Sequence, residues 1–315
     1  MKAAVVRDFT QGPKYETDYE VPTPKQDEAL INVTAAALSN RARSDADGSH
    51  YAAEGILPMI PGVDGVGTLA NGKKVYFVGN GSFAETVAVE KGHWVTIPSG
   101  LDDVKIAGLM NPALSAWMAL KYRAKFKRGQ SVMILGATGN AGSMAVQIAK
   151  RMGAKDIIAV GRNTNKLAEL TKLGATQTIA LTDDADAVKT ALGTAGTEID
   201  IVLDYLWGDV AANAMWAIIP KRKEESQVLK WVEIGSTAGA TAPIPGAAFR
   251  AVKLQLIGSG QGSVGVLAII KSFKAILKAE KQMPFEFTTK AVGLSELEDA
   301  WHEKNPERLV FVPNK

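Results

Sequence analysis

Apolar residues recur along this chain with a spacing that changes twice, and each change marks a different kind of structure. From Met1 to about Asn111 the apolar runs are short and β-like: Lys2 to Val6, Ala29 to Ala35, Gly65 to Leu69, Lys74 to Val78 and Phe83 to Val89. Turn dipeptides such as Asn71-Gly72 and Asn80-Gly81 punctuate them, which is the grammar of a small barrel-like β domain. At Asn111 the spacing becomes helical, with Pro112 placed where a first helical turn tolerates it. From Ser131 onward strands and helices alternate. Six strand candidates follow one another: Ser131 to Leu135, Asp156 to Val160, Thr176 to Leu181, Ile199 to Tyr205, Leu229 to Ile234 and Leu254 to Ile257. Helices such as Lys166 to Leu173, Ala185 to Leu192 and Asp209 to Ile219 lie between most of them, so a parallel sheet covered on both faces is predicted. Beyond Ser259 the series stops. A long amphipathic helix is predicted over Val264 to Lys281, a capping box at Ser295 to Glu298 opens another helix, and Arg308 to Val312 reads as a lone strand. A lone strand needs a partner, and the economical one is the N-terminal β domain, which would then be discontinuous.

The stretch SVMILGATGNAG, Ser131 to Gly142, carries the chemistry. A strand runs into a turn with Gly136, Gly139 and Gly142, and a helix follows in which Met144, Ala145, Ile148 and Met152 recur with helical spacing. Glycines let backbone approach a pyrophosphate, and the helix start offers unpaired amides and the positive end of its dipole. With the second strand after Gly153, a complete βαβ unit fits in about thirty residues, as a dinucleotide fingerprint requires.

Composition narrows the chemistry further. Of 315 residues 46% are hydrophobic and 22% charged, which suits a folded chain of two domains or one large one. The net charge of +3 is spread among interspersed acids and bases, so no nucleic-acid partner is expected. There is no cysteine, hence no disulfide and no thiol catalysis, and the three histidines, His50, His93 and His302, are scattered. No metal is expected. MKAAVVRDF reads as a strand rather than a signal peptide, and no apolar run approaches the roughly 20 residues of a membrane span; the expectation is a cytoplasmic protein.

Taken in order, MKAAVV, LPMIPGVDGVG, GSFAETVAV, NPALSAWMAL, ILGATGNAGSMAVQIAK, KLGATQTI, DIVLDYLWG, WVEIGSTAG and LIGSGQGS make the whole chain resemble the medium-chain dehydrogenase/reductase superfamily, and within it the zinc-free quinone oxidoreductases and enone reductases. The resemblance implies an α/β fold: a GroES-like, β-barrel-type catalytic domain over 1–113, completed by 259–315, and a doubly wound, six-stranded Rossmann domain over 114–258. It also implies a homodimer through the edge strand near Leu254 to Ile257. Where zinc-dependent members carry Gly-His-Glu, this chain has Gly62-Val63-Asp64, and valine cannot coordinate an ion. Asp64 is expected to be structural, holding nearby backbone amides.

Cofactor and acceptor residues follow. The pyrophosphate is expected on Gly139, Asn140, Ala141 and Gly142, with Gly136 and Thr138 also among the cofactor-binding residues. The second strand ends in Gly161, Arg162 and Asn163 with Lys166 a turn further on; with no carboxylate there and two cations to meet a 2′-phosphate, NADPH is favoured over NADH. The resemblance places Leu206, Trp207, Gly235, Ser236, Ser259 and Gly260 beside the nicotinamide half. Without a metal, hydride must go to an already electrophilic carbon, as in a quinone or a conjugated enone, bound in a cleft between the two domains. Tyr51 and Asn40 are the candidate donors to the acceptor oxygen, although Asn40 is followed by Arg41, Ala42 and Arg43 where relatives commonly have Asn-Pro-x-Asp. The alternatives are a non-catalytic NADPH-binding sensor or structural protein, and a metal-free carbonyl reductase.

Overall fold

The computed structural model describes residues 1–51, 55–182, 184–260, 262–303 and 307–315, and counts below refer to these. The chain forms two compact units, Met1–Asn111 with Phe273–Lys315, and Pro112–Ser272. The second crossing between them thus falls later than residue 259.

In the first unit, β1 (Ala3–Val5) pairs with β2 (Lys14–Glu16). β3 (Glu28–Ala37) leads into the short α1 (Asn40–Ala46), followed by β4 (Asp64–Leu69), β5 (Lys74–Val78), β6 (Thr86–Glu90) and β7 (Trp94–Thr96). β3 pairs antiparallel with both β4 and β6, and β5 joins β4 to β7. Turns Asn71-Gly72 and Asn80-Gly81 lie between strands as the pattern predicts. β2 and β7, three residues each, carry too little alternation to be seen in the sequence.

The helix expected from Asn111 begins earlier. α2 (Asp103–Met118) starts where Asp102 accepts the Lys105 amide at 2.8 Å, and Pro112 sits inside it rather than in its first turn. Proline has no amide to give the fourth carbonyl back, so that bond is simply missing. A π-helical turn, Ala119–Arg123, closes the helix.

The second unit then alternates. β8 (Val132–Leu135), α3 (Asn140–Met152), β9 (Ile157–Gly161), α4 (Thr164–Leu173), β10 (Gln177–Ala180), α5 (Ala185–Ala195), β11 (Ile201–Asp204), α6 (Gly208–Ile218), β12 (Leu229–Glu233), α7 (Ala248–Ala251) and β13 (Leu254–Gly258) follow in turn. All six strands are parallel, in the order β10-β9-β8-β11-β12-β13. That is the doubly wound order whose direction reverses between the first and fourth strands, here β8 and β11. Both faces are covered: β8, β9 and β11 are buried throughout, and Met133, Val160, Val202, Met215 and Trp231 share one core.

The chain returns to the first unit within α8 (Val266–Gln282). β14 (Thr289–Gly293), α9 (Leu297–Trp301) and β15 (Arg308–Val312) complete it, with β15 antiparallel to β3 and parallel to β14. The last strand thus has the partner its isolation demanded. The capping box does not form: Leu294–Glu296 is a 3-10 turn, Glu296 occupies the cap position, and no side chain caps α9. Phe83 packs edge-on against Phe311 (5.1 Å between centroids) and Trp301 (6.2 Å) at the centre of this unit's core.

Within that unit Asp64 is buried, and its carboxylate accepts the Tyr76 hydroxyl at 2.6 Å rather than backbone amides. Burial pushes this carboxyl up to about 6, against the pull of the Tyr76 hydrogen bond and the charge of buried Arg308. Since the folded value lies above the ordinary value of 3.8, ionising Asp64 costs the folded state. Its favourable contribution is therefore full below pH ~4 and is lost as pH rises through ~6. The stability difference between wild type and Asp64→Asn should accordingly shrink by up to about 3 kcal/mol from pH ~4 to ~7. Urea unfolding across that range is the check; a pH-independent difference would contradict it.

Candidate functional site

The site is built at the carboxyl ends of β8 and β11, where the strand order reverses. β8 ends at Leu135, and Gly136 turns the chain at φ +85°, a conformation that side chains resist. Gly139 occupies the cap position of α3 in extended backbone, with no side chain accepting from the helix. The amides that start α3 therefore have no intrahelical acceptor and no cap. A Cβ on Gly139 would meet only the Gly136 carbonyl, at 3.5 Å, so the space before the helix is open. A Cβ on Gly142 would collide with the same oxygen and lie 2.6 Å from the Ala137 Cα. One glycine leaves room for a ligand and the other lets the helix press against its own turn. An anion such as a pyrophosphate fits this cradle.

β9 ends at Gly161, where a Cβ would come within 2.6 Å of the Thr138 methyl and 2.8 Å of its hydroxyl. A carboxylate-bearing residue at this strand end would collide with the glycine turn. Arg162 is exposed, and no described residue takes its guanidinium in a hydrogen bond or ion pair. Asn163 is differently employed. Its Oδ1 accepts the Lys166 amide at 3.0 Å, capping α4, so that side chain holds the helix. Lys166 is half-buried one turn along.

β11 ends in Asp204, and the arrangement around it leaves the least trace in the sequence. Asp204 is fully buried; Oδ1 accepts the Leu206 and Trp207 amides, both at 2.9 Å, and Oδ2 accepts the Trp231 indole at 2.8 Å. Burial raises its pKa, and these three hydrogen bonds pull it back. Opposite Asp204 in register stands Glu233, itself raised by partial burial and by the Asp204 charge. Buried Tyr205 lies with its hydroxyl 3.3 Å from that of Ser115; Ser115 donates to the Pro112 carbonyl at 2.8 Å, so Tyr205 is the donor between them. Burial also raises the Tyr205 pKa. A cavity of about 510 Å³ opens nearby, with Gly208, Asp209, Ala238, Gly239 and Pro243 among its walls.

Of the predicted cofactor residues, the turn Gly136 to Gly142 and Leu206 come together: a Cβ on Gly136 would sit 3.0 Å from Leu206 Cδ2. Gly235 and Ser236 follow β12, and the Gly235 amide reaches the Asp204 carbonyl at 3.2 Å. Ser259 is buried after β13 with its amide on the Glu233 carbonyl at 2.8 Å, and the Gly260 amide is held by Ser263 Oγ at 3.0 Å. The acceptor candidates lie in the other unit. Asn40 is the first residue of α1, whose cap is Ser39, accepting from Ala42 at 3.0 Å. Tyr51 lies past the far end of that helix, roughly 10 Å of helix away. It is 75% exposed, with its ring 4.2 Å from that of His50. His50 in turn has Nδ1 3.7 Å from Asp45. Residues 52–54 lie outside the described chain.

A parallel six-stranded sheet with a glycine cradle at its switch point defines a dinucleotide-binding α/β unit. The model of the zinc-binding dehydrogenase family matches residues 141–221. A probable NADPH-dependent quinone reductase of Emericella nidulans is 26% identical over 99% of this chain and 100% of its own length. The NADPH-dependent alkenal/one oxidoreductase of Arabidopsis thaliana is 30% identical over 64% of this chain, which spans 60% of that protein. The quinone oxidoreductase of Thermus thermophilus, whose structure is also known in complex with NADPH, superimposes over 99% of this chain and 100% of its own, with TM-score 0.82 and 24% identity. The chain is thus similar to zinc-binding dehydrogenases over part of its nucleotide-binding unit, and over its length to quinone and enone reductases of the medium-chain dehydrogenase/reductase kind.

Gly142→Ala gains about 1 kcal/mol of helix propensity, yet it drives a methyl into a carbonyl that cannot retreat. The second effect wins. A net loss of about 1–3 kcal/mol is expected in urea unfolding, together with weaker nucleotide binding.

Proposed function

We propose that this chain is an NADPH-dependent oxidoreductase that reduces a quinone or an α,β-unsaturated carbonyl compound without zinc. The observation that carries the reading is the uncapped start of α3 at the β8–β11 switch point, beside a second strand ending in Gly161 and Arg162. NADPH, when bound, supplies a hydride. Asn140, Ala141 and Gly142 hold its pyrophosphate through backbone amides, while Gly139, whose own amide donates to the Gly136 carbonyl, leaves the room for it. Arg162 and Lys166 meet the 2′-phosphate, Arg162 with a planar fork that needs no rearrangement of an existing ion pair. Leu206, Trp207, Gly235, Ser236, Ser259 and Gly260 line the nicotinamide half. Tyr51 donates a hydrogen bond to the acceptor oxygen as negative charge develops there, and Asn40 orients the acceptor. Zinc independence is supported by residue identity: there is no cysteine, and Val63 stands where zinc-dependent members have a histidine ligand.

The same reading includes a homodimer. β13 pairs only with β12 among the described residues, leaving an open sheet edge. Leu256 on that edge is 39% exposed, and Val266 and Leu267 are 50% and 78% exposed. A second copy pairing edge to edge about a two-fold axis would cover these residues.

Two measurements test these assignments. Arg162→Ala should weaken NADPH binding about 10- to 100-fold and leave NADH within about twofold, because only the former loses a charge-assisted contact. NADPH oxidation, with product identification, against a quinone, a conjugated enone and a saturated aldehyde should be fastest with one of the first two. Alcohol formed from the aldehyde as the main product would point to a carbonyl reductase, and tight binding without turnover to a sensor. For the assembly, light scattering should give two chains for the wild type and one for Leu256→Lys.

A further inference from the structure

We propose that Asp204 is a positioning residue for the cofactor: its buried carboxylate holds the Leu206–Trp207 turn in an unfavourable backbone state, against the glycine turn that precedes α3. What that turn faces rests on the NADPH reading above; how it is held rests on geometry alone.

Trp207 has φ +55° and ψ −156°, a region that essentially only glycine visits. Such strain persists only where the surroundings over-determine it. Here they do so from three sides. Asp204 Oδ1 accepts the amides of both Leu206 and Trp207, drawing the turn back onto the end of β11. The Ala238 amide donates to the Leu206 carbonyl at 2.7 Å, and Trp207 makes a bridge with Gly239. The next residue, Gly208, is at φ +63°, and a Cβ there would lie 2.9 Å from the Ala238 carbonyl. Of these constraints only Asp204 is a side chain placed by the sheet itself.

The consequence reaches the cradle through Leu206, whose side chain lies against Gly136. Among its hydrogen-bond partners Asp204 has three N–H donors and no cation, so its charge is buried at a cost that an apolar residue would avoid. A core without a positioning task has no use for it. The strained turn and the glycine turn therefore form one unit, with Asp204 setting the distance between them.

Five variants separate positioning from general support. Asp204→Ala loses both turn bonds, whereas Asp204→Asn keeps an acceptor oxygen for the two amides. Trp231→Phe removes only the donor on Oδ2. Fluorescence titration with NADPH should show at least a tenfold weaker Kd for Asp204→Ala, and Kd within about threefold of wild type for Asp204→Asn and for Trp231→Phe, even where the last two lower Tm. Trp207→Gly should melt about 2–4 °C above Trp207→Ala, because glycine adopts the turn without strain. Equal damage from Asp204→Ala and Trp231→Phe, no rescue by Asp204→Asn, or Trp207→Ala melting at or above Trp207→Gly would each overturn the proposal. Should Asp204→Ala fail to fold, Asp204→Asn and the Trp207 pair still decide. Failure of the wild type to bind NADPH would sink the cofactor reading instead, and the melting order of the Trp207 pair would still judge how the turn is held.

Discussion

The first turn of α3 approaches the end of β8 so closely that nothing larger than hydrogen fits at position 142. That contact fixes the direction of α3 relative to the sheet, and with it the direction in which the opening amides point. Because they have no capping side chain, their partial positive charge is presented outward. The cradle is therefore a by-product of packing. A helix forced this close to its own strand has its orphan amides aimed at whatever lies beyond the strand end, and at the switch point the helices on either side diverge and leave space there.

The end of β11 solves the complementary problem on the other side of that space. Glycines form the first wall because the backbone must come near a ligand. The second is formed by a residue with a large side chain in a glycine conformation, restrained by a buried acid. The two walls touch at Leu206 and Gly136. In the other unit a buried acid has a different task. Asp64 takes the Tyr76 hydroxyl and shares its surroundings with buried Arg308, so that acid belongs to the core of its own unit.

How far the sequence can be read follows from the range of the interactions involved. The inner strands of the parallel sheet, β8, β9 and β11, are legible because each is a run of apolar residues buried throughout, and such runs need no partner to be recognised. The glycine turn is legible because its spacing encodes a local approach. Asp204 is not. Its three donors come from residues two and three positions on and from Trp231 on the neighbouring strand, and Trp207 falls beside the nicotinamide only by resemblance, with nothing to mark its backbone as strained. The start of α2 is hidden for a related reason: Pro112 resembles a first-turn proline because a helix surviving an internal proline depends on packing along its whole length. At Ser295 a local signal matches, yet the chain makes a 3-10 turn, and a capping box in a five-residue helix has too little helix to stabilise.

The two units also divide the functional problem differently. Every residue proposed to hold the cofactor lies at a strand end or in the first turn of a helix of one sheet, where parallel pairing sets its height to within a residue. The residues proposed for the acceptor, Asn40 and Tyr51, lie at either end of a seven-residue helix and the turn beyond it. Precision in the first set comes from the sheet and is paid for once, in folding. The second set has no such scaffold, so a change of acceptor can be accommodated there without disturbing the cradle.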